Sequence, residues 1–232
     1  FPHVERKYHY NKTFDAMKNG IKLYHVWEHF GWESVKSKID NVLGVTKHKH
    51  YARNLSFSDD GYPGFFDDNH LHKRSASSKF YFGLKDKEEN FVSMISFQPT
   101  GDGKVELMRF ASLRGTVVVG GFSKVLKYSI PILRSYGYDK IITFAYVDWA
   151  PDHKDTVYYK NGFTFEGHTG ISLRYTDFKN VYSRNKFMKH KLEKLFPESY
   201  DSELTADQIL KKERIYPIYD SGNWKFTYNA KY

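Results

Sequence analysis

Residues 106–163 constrain the fold of this 232-residue chain more than any other stretch. They open with an alternating run, Glu106-Leu107-Met108-Arg109-Phe110, and pass through Val117-Val118-Val119-Gly120-Gly121-Phe122-Ser123-Lys124 into an apolar-periodic segment ending near Arg134. A second β-rich run over 141–147 leads to Thr156-Val157-Tyr158-Tyr159-Lys160-Asn161-Gly162-Phe163. Alternation, then a glycine pair, then helical periodicity predicts strand, turn, helix, strand, helix, which is one α/β unit. A strand that ends in glycines and opens a helix leaves backbone N–H groups free to meet an anion. Gly120, Gly121, Ser123 and Lys124 are therefore candidate anion-holding residues, although the two glycines would equally let the helix pack close to the sheet.

Three antiparallel strands are expected ahead of that unit. Residues 79–84 and 91–97 flank the charged tip Asp86-Lys87-Glu88-Glu89-Asn90, a hairpin by alternation and turn chemistry, and Thr100-Gly101-Asp102-Gly103 turns into the strand at Glu106. Upstream, the pattern predicts a helix over 12–19 with Asn11 as N-cap and Gly20 at C′, a strand over 21–28, and a helix over 33–42 that stops at Gly44. A further strand is expected over 51–57. Two His-x-His pairs, at His48 and His50 and at His70 and His72, lack a third partner at metal-ligand spacing. Downstream, a strand over 170–175 precedes a basic helix over 183–195. Thr205 and Gln208 then form a capping-box pattern for a last helix, and 215–219 with 224–228 bracket Asp220-Ser221-Gly222-Asn223 as a terminal hairpin.

Charge and cysteine usage narrow the chemistry. With no cysteine the chain has no disulfide, no thiolate nucleophile and no cysteine-bound zinc. The formal charge is +9, and residues 181–194 hold five Lys or Arg against one Glu, so nearly half of the excess sits in fourteen residues. Arg184, Lys186, Lys189, His190, Lys191 and Lys194 would present a stripe for phosphates, with Phe187, Met188, Leu192 and Leu195 as its docking side, which favours double-stranded DNA as partner. No run approaches the length of a membrane span and no secretory pattern is present, so a soluble, intracellular protein is expected. The chain opens on Phe1 rather than Met, and sequence ahead of it is expected.

Two resemblances follow from these motifs. Over roughly 65–175, the order of antiparallel strands, glycine turn, helix, strand and a helix ending Tyr158-x-x-x-Gly162-Phe163 resembles the GNAT acyltransferase fold. That resemblance implies a mixed, mostly antiparallel sheet with flanking helices, acetyl-CoA held at the glycine turn, and Tyr158 as general acid toward the leaving thiolate. The family's turn, Gln or Arg, two residues, Gly, one residue, Gly or Ala, is not matched by Arg114-Gly115 and Gly120-Gly121.

The second resemblance covers nearly the whole chain. Tyr8-His9-Tyr10-Asn11-Lys12-Thr13, the run from Gly20 through Glu28, and the later Phe82-Gly83-Leu84, Glu106-Leu107-Met108-Arg109-Phe110, Val119-Gly120-Gly121-Phe122-Ser123-Lys124 and Lys189-His190-Lys191-Leu192 look like phage homing endonucleases related to very-short-patch-repair nucleases. It implies cleavage of double-stranded DNA in the cytoplasm of an infected bacterium, with catalytic His9 and Glu28, Glu28 also holding Mg2+. The division it suggests is a nuclease remnant over 1–46, a GNAT-like domain over 47–180, and a basic helix, helix and hairpin over 181–232. A GNAT-fold acyltransferase or DNA-base-modifying enzyme, and a DNA-binding module without chemistry, are the alternatives.

Overall fold

The computed structural model of the chain describes residues 5–230. Among the described residues the helices are α1 (Tyr8–Lys18), α2 (Trp32–Val42), α3 (Gly64–Asn69), α4 (Gly121–Ser135), α5 (Val157–Lys160), α6 (Lys189–Leu195) and α7 (Ala206–Lys212). The strands are β1 (His48–Tyr51), β2 (Ser56–Ser58), β3 (Phe80–Lys85), β4 (Phe91–Gly101), β5 (Lys104–Ser112), β6 (Thr116–Val119), β7 (Lys140–Tyr146), β8 (Thr164–His168), β9 (Leu173–Thr176), β10 (Val181–Ser183), β11 (Tyr216–Tyr219) and β12 (Asn223–Asn229). They form two compact units: a larger one from residues 30–145, 153–167 and 224–230, and a smaller one from residues 5–29, 146–152 and 168–223. No helix among the described residues is long and apolar enough to cross a membrane.

The larger unit is built on a seven-stranded sheet of order β2-β3-β4-β5-β7-β12-β8. Its first four strands are antiparallel, and β5 then pairs with β7 in parallel. The β4–β5 hairpin closes through Asp102 and Gly103, both at positive φ, the conformation a tight two-residue hairpin turn requires. This is the expected mixed, mostly antiparallel sheet with flanking helices. Phe66, Phe97, Leu84, Met94, Ile95, Leu133, Ile141 and Phe226 are almost wholly buried in it. Each such side chain contributes about 1.5–3 kcal/mol through the area it removes from water.

The parallel register is short. Lys104 to Leu107 face Lys140 to Thr143, although β5 itself continues to Ser112. Against β4 the register also shifts, since Ser96 faces Arg109 while Phe97 faces Leu107, which leaves Met108 as an extra residue in β5. Such a bulge bends a strand and re-aims its side chains.

The smaller unit holds a three-stranded sheet, β10-β9-β11. Tyr175, Phe187, Leu192, Ile209, Leu210 and Ile215 form its core. The capping box is present as expected: Thr205 Oγ1 accepts the Gln208 N–H, and Gln208 Oε1 accepts the Thr205 N–H at 2.8 Å. Both upstream helices end on the expected glycines, Gly20 and Gly44 at φ +71°, with Ile21 N–H to Ala16 O and Val45 N–H to Asp40 O closing paired C-terminal turns.

Five expectations are corrected. The first helix starts at Tyr8, so Asn11 is inside it and bonds Lys7 O instead of capping it. Residues 21–27 form no strand. The strand expected over 51–57 is divided by a 3-10 turn at Ala52–Asn54. The basic helix is broken at Met188, whose extended backbone separates a 3-10 turn, Arg184–Phe187, from α6, because Phe187 and Leu192 both turn into the core. The terminal hairpin does not exist: β11 pairs with β9, while β12 lies between β7 and β8. Its two strands find better-matched partners far away in the chain.

Candidate functional site

His9 and Glu28 both belong to the smaller unit. Glu28 is exposed, whereas His9, on α1, is half-buried with its Nδ1 3.3 Å from His25 Nδ1 and its ring 4.7 Å from Trp27. His25 Nε2 lies 2.6 Å from Thr13 Oγ1, which lies 3.0 Å from Ser221 Oγ. Only one of the two facing Nδ1 atoms can donate, so the chain Ser221–Thr13–His25–His9 has two self-consistent proton orders, one the reverse of the other. Burial, then for His9 the neighbouring His25, lowers both histidines against the opposing pull of Asp148, so both are neutral at neutral pH.

Asp148 is the hub of this polar centre. Fully buried, it accepts Trp27 Nε1–H at 2.7 Å and the Ser221 N–H at 3.1 Å, and its backbone carbonyl accepts the His25 N–H. These residues come from three separated segments. Only the polar clusters Asp148-Trp149 and Asp220-Ser221-Gly222-Asn223 hint at them in the sequence.

In the larger unit, Thr143 and Tyr158 meet where the β5–β7 pairing ends, and Glu106 and Arg109 on β5 act on Tyr158 through their charges. Thr143, facing Leu107 at the last paired position, donates its hydroxyl to the Leu107 carbonyl at 3.0 Å and hydrogen-bonds the Tyr158 hydroxyl. Tyr158, on α5, packs its ring 5.6 Å from those of Phe122, Phe163 and Phe226. Burial, and then the Glu106 carboxylate, raises its pKa against Thr143 and Arg109. Glu106 is itself raised by burial, with Arg109 opposing. Arg109 donates Nε–H to Lys73 O at 2.9 Å and Nη1–H to the neighbouring Met108 O at 2.7 Å. Glu106, Arg109 and Thr143 were missed as site residues. The alternating run that contains the first two reads simply as strand.

The glycine turn is shaped by packing. Gly120 adopts φ +75° at the N-cap of α4, and a Cβ on Gly121 would stand 2.7 Å from Val118 Cγ1. Lys124 Nζ donates to the carbonyls of Ala52 and Leu55 at 2.9 and 2.5 Å, Arg114 to the Asp68 carbonyl, and Gly115 N–H to Ser37 Oγ. Lys124 is thus occupied by its own chain. What remains is backbone: the N–H groups of Gly121, Phe122 and Ser123, the first turn of a 15-residue helix, donate to no protein group among the described residues.

The basic segment lies in the smaller unit. Arg184, Lys186, Lys189, His190, Lys191 and Lys194 are all exposed, and buried Phe187 and Leu192 anchor them. Among the described residues none of the six pairs with a carboxylate. Lys189 and Lys191 instead donate to the carbonyls of Ser202 and Asn185, each at 2.7 Å, and Lys186 lies 4.0 Å from the Tyr182 ring centroid.

No family model and no curated protein matches the chain. Among solved structures it is similar to a GNAT family acetyltransferase from Elizabethkingia anophelis with acetyl-CoA bound, at 14% identity over 76% of this chain and 98% of that one, with a TM-score of 0.42. An acetyltransferase from Bacillus subtilis in complex with CoA gives 14%, 76%, 97% and 0.42, and the IAA acetyltransferase from Bacillus cereus 12%, 75%, 99% and 0.39. Those proteins are acetyltransferases, and among the described residues no group of three or more His, Asp or Glu could hold a metal ion. On those findings the homing-endonuclease reading is corrected; Glu28 is exposed and His9 is bonded to His25.

Proposed function

We propose that the larger unit is a GNAT-type acyl-transfer domain with its reaction centre where β5 and β7 part. The observation that carries this is the meeting of Thr143 and Tyr158 at the end of that short parallel register, within reach of the charges of Glu106 and Arg109. Acetyl-CoA, when bound, supplies an acyl group activated as a thioester. The residues that fit its pyrophosphate are the unbonded amides of Gly121, Phe122 and Ser123, at the positive end of the α4 dipole.

Tyr158 Oη keeps its proton through neutral pH because burial raises its pKa, the state a general acid toward a departing thiolate needs. The Glu106 carboxyl, raised by burial, is closer to neutrality than a free carboxylate and so better matched to accept a proton from an incoming nucleophile. Arg109 sets how far it rises. CoA should raise the thermal midpoint, since a ligand at a hundred times its Kd stabilises the native state by about 2.7 kcal/mol. An unmoved midpoint at millimolar CoA overturns the reading.

A second reading belongs to the smaller unit. Five exposed Lys and Arg side chains without carboxylate partners among the described residues, fixed on a packed core, support double-stranded DNA as its partner. Binding that ignores salt concentration would sink it.

A further inference from the structure

The smaller unit contains a cavity lined by Trp27, His29, Tyr146, Arg174, Ile218 and Asp220, to which nothing above assigns a role. It spans about 190 Å³ with its open mouth included, and its enclosed depth takes a group about the size of one water. Asp220 is only 5% exposed. Its Oδ1 accepts the N–H groups of Ser172 and Gly222 at 3.0 and 2.9 Å, but its buried Oδ2 meets no protein donor among the described residues. Leaving such an oxygen without a donor is costly, so a partner from outside the chain is the natural completion.

The surroundings define that partner. Arg174 lies 5.9 Å from the Tyr146 ring centroid, and the bond from Trp27 Nε1 to Asp148 fixes the indole. An acceptor beside a guanidinium, between aromatic walls, matches the edge of a planar amino heterocycle. The register joins this cavity to the basic segment: Arg174 in the central strand β9 faces Ile218 on one side and Ser183 on the other. Asp220 follows just after β11, and Arg184 immediately after Ser183.

We propose that this cavity receives the exocyclic amino group of an unpaired nucleobase, with Asp220 Oδ2 accepting its N–H, Arg174 donating to the neighbouring ring acceptor, and an aromatic wall carrying the ring. Cytosine, adenine and guanine carry such an amine and thymine does not. The proposal rests on the nucleic-acid reading of the basic segment, which supplies the phosphate contacts.

The test compares dC8 with dT8 by fluorescence anisotropy on the full chain. One hydrogen bond to a charged acceptor predicts that dC8 binds about tenfold tighter. Asp220→Asn keeps an Oδ1 for Ser172 and Gly222 but replaces the free acceptor with a donor, so it should abolish the preference for dC8. Equal affinities in the wild type, or a preference that survives in a folded Asp220→Asn, would overturn the proposal. A second measurement needs no variant: cytidine should shift the Trp27 indole N–H resonance, and N4,N4-dimethylcytidine should not; identical effects of the two would also overturn it. Should Arg184→Ala/Lys189→Ala/Lys191→Ala bind both oligonucleotides as tightly as the wild type while cytidine still shifts Trp27, the basic-segment reading fails and the cavity assignment stands.

Discussion

The basic segment yields a prediction whose size follows from the structure. Five cations, Arg184, Lys186, Lys189, Lys191 and Lys194, all exposed and without a carboxylate partner among the described residues, can each neutralise one phosphate. On duplex DNA the slope of log affinity against log salt is about 0.9 per neutralised phosphate, so full engagement gives roughly 4.5 and the Arg184→Ala/Lys189→Ala/Lys191→Ala variant roughly 1.8. Between 50 and 200 mM salt, that is roughly a five-hundredfold loss of affinity for the wild type against about twelvefold for the variant. Lys189 and Lys191 are tethered to the carbonyls of Ser202 and Asn185, which orders their side chains before binding. Buried Phe187 and Leu192 are untouched, so the fold should survive. Anisotropy of a labelled duplex across a KCl series reads both slopes. A variant slope equal to that of the wild type would refute the assignment of these side chains to phosphates.

Other predictions concern the two polar centres and the core. Glu106 has a raised folded pKa, so its contribution to stability is present below its unfolded pKa and lost as pH rises through the folded value. Glu106→Gln should therefore unfold at a higher temperature than the wild type at pH 8, with the gain vanishing near pH 4; a variant less stable at pH 8 contradicts this. His29 is lowered to about 4 by burial and Arg174, so native protein binds fewer protons than unfolded between about 6.5 and 4, and stability is lost as pH falls through that window. An NMR titration of His29 with a midpoint near 6.5 would refute the assignment. Asp148→Ala strands two donors, Trp27 Nε1–H and Ser221 N–H, at a cost of roughly 3 kcal/mol by urea unfolding; a loss below 1 kcal/mol would show that the donors find water.

How far the sequence discloses these features depends on how local their causes are. The β3–β4–β5 meander, the two glycine helix stops and the Thr205–Gln208 capping box are legible because the interactions that make them span a few residues or one hairpin. The terminal hairpin fails because β11 and β12 pair with strands outside the local segment, a choice alternation does not encode. The break at Met188 fails for a related reason: Phe187 and Leu192 fit helical spacing, but the core they enter is shaped by Ile209, Leu210 and Ile215. Tyr158 is legible through its motif, while its partner Thr143 is disclosed only by the end of the parallel register beside it. Asp148, Arg174 and Asp220 carry no shared spacing, since folding alone draws their segments into one unit.

The acyl-transfer assignment of the larger unit is tested most directly by calorimetric titration of acetyl-CoA into the wild type and Tyr158→Phe. One-site heat in both, with acyl transfer from the bound thioester slower by about a hundredfold or more in the variant, is the expected result. Absence of heat at high micromolar acetyl-CoA in the wild type would contradict it.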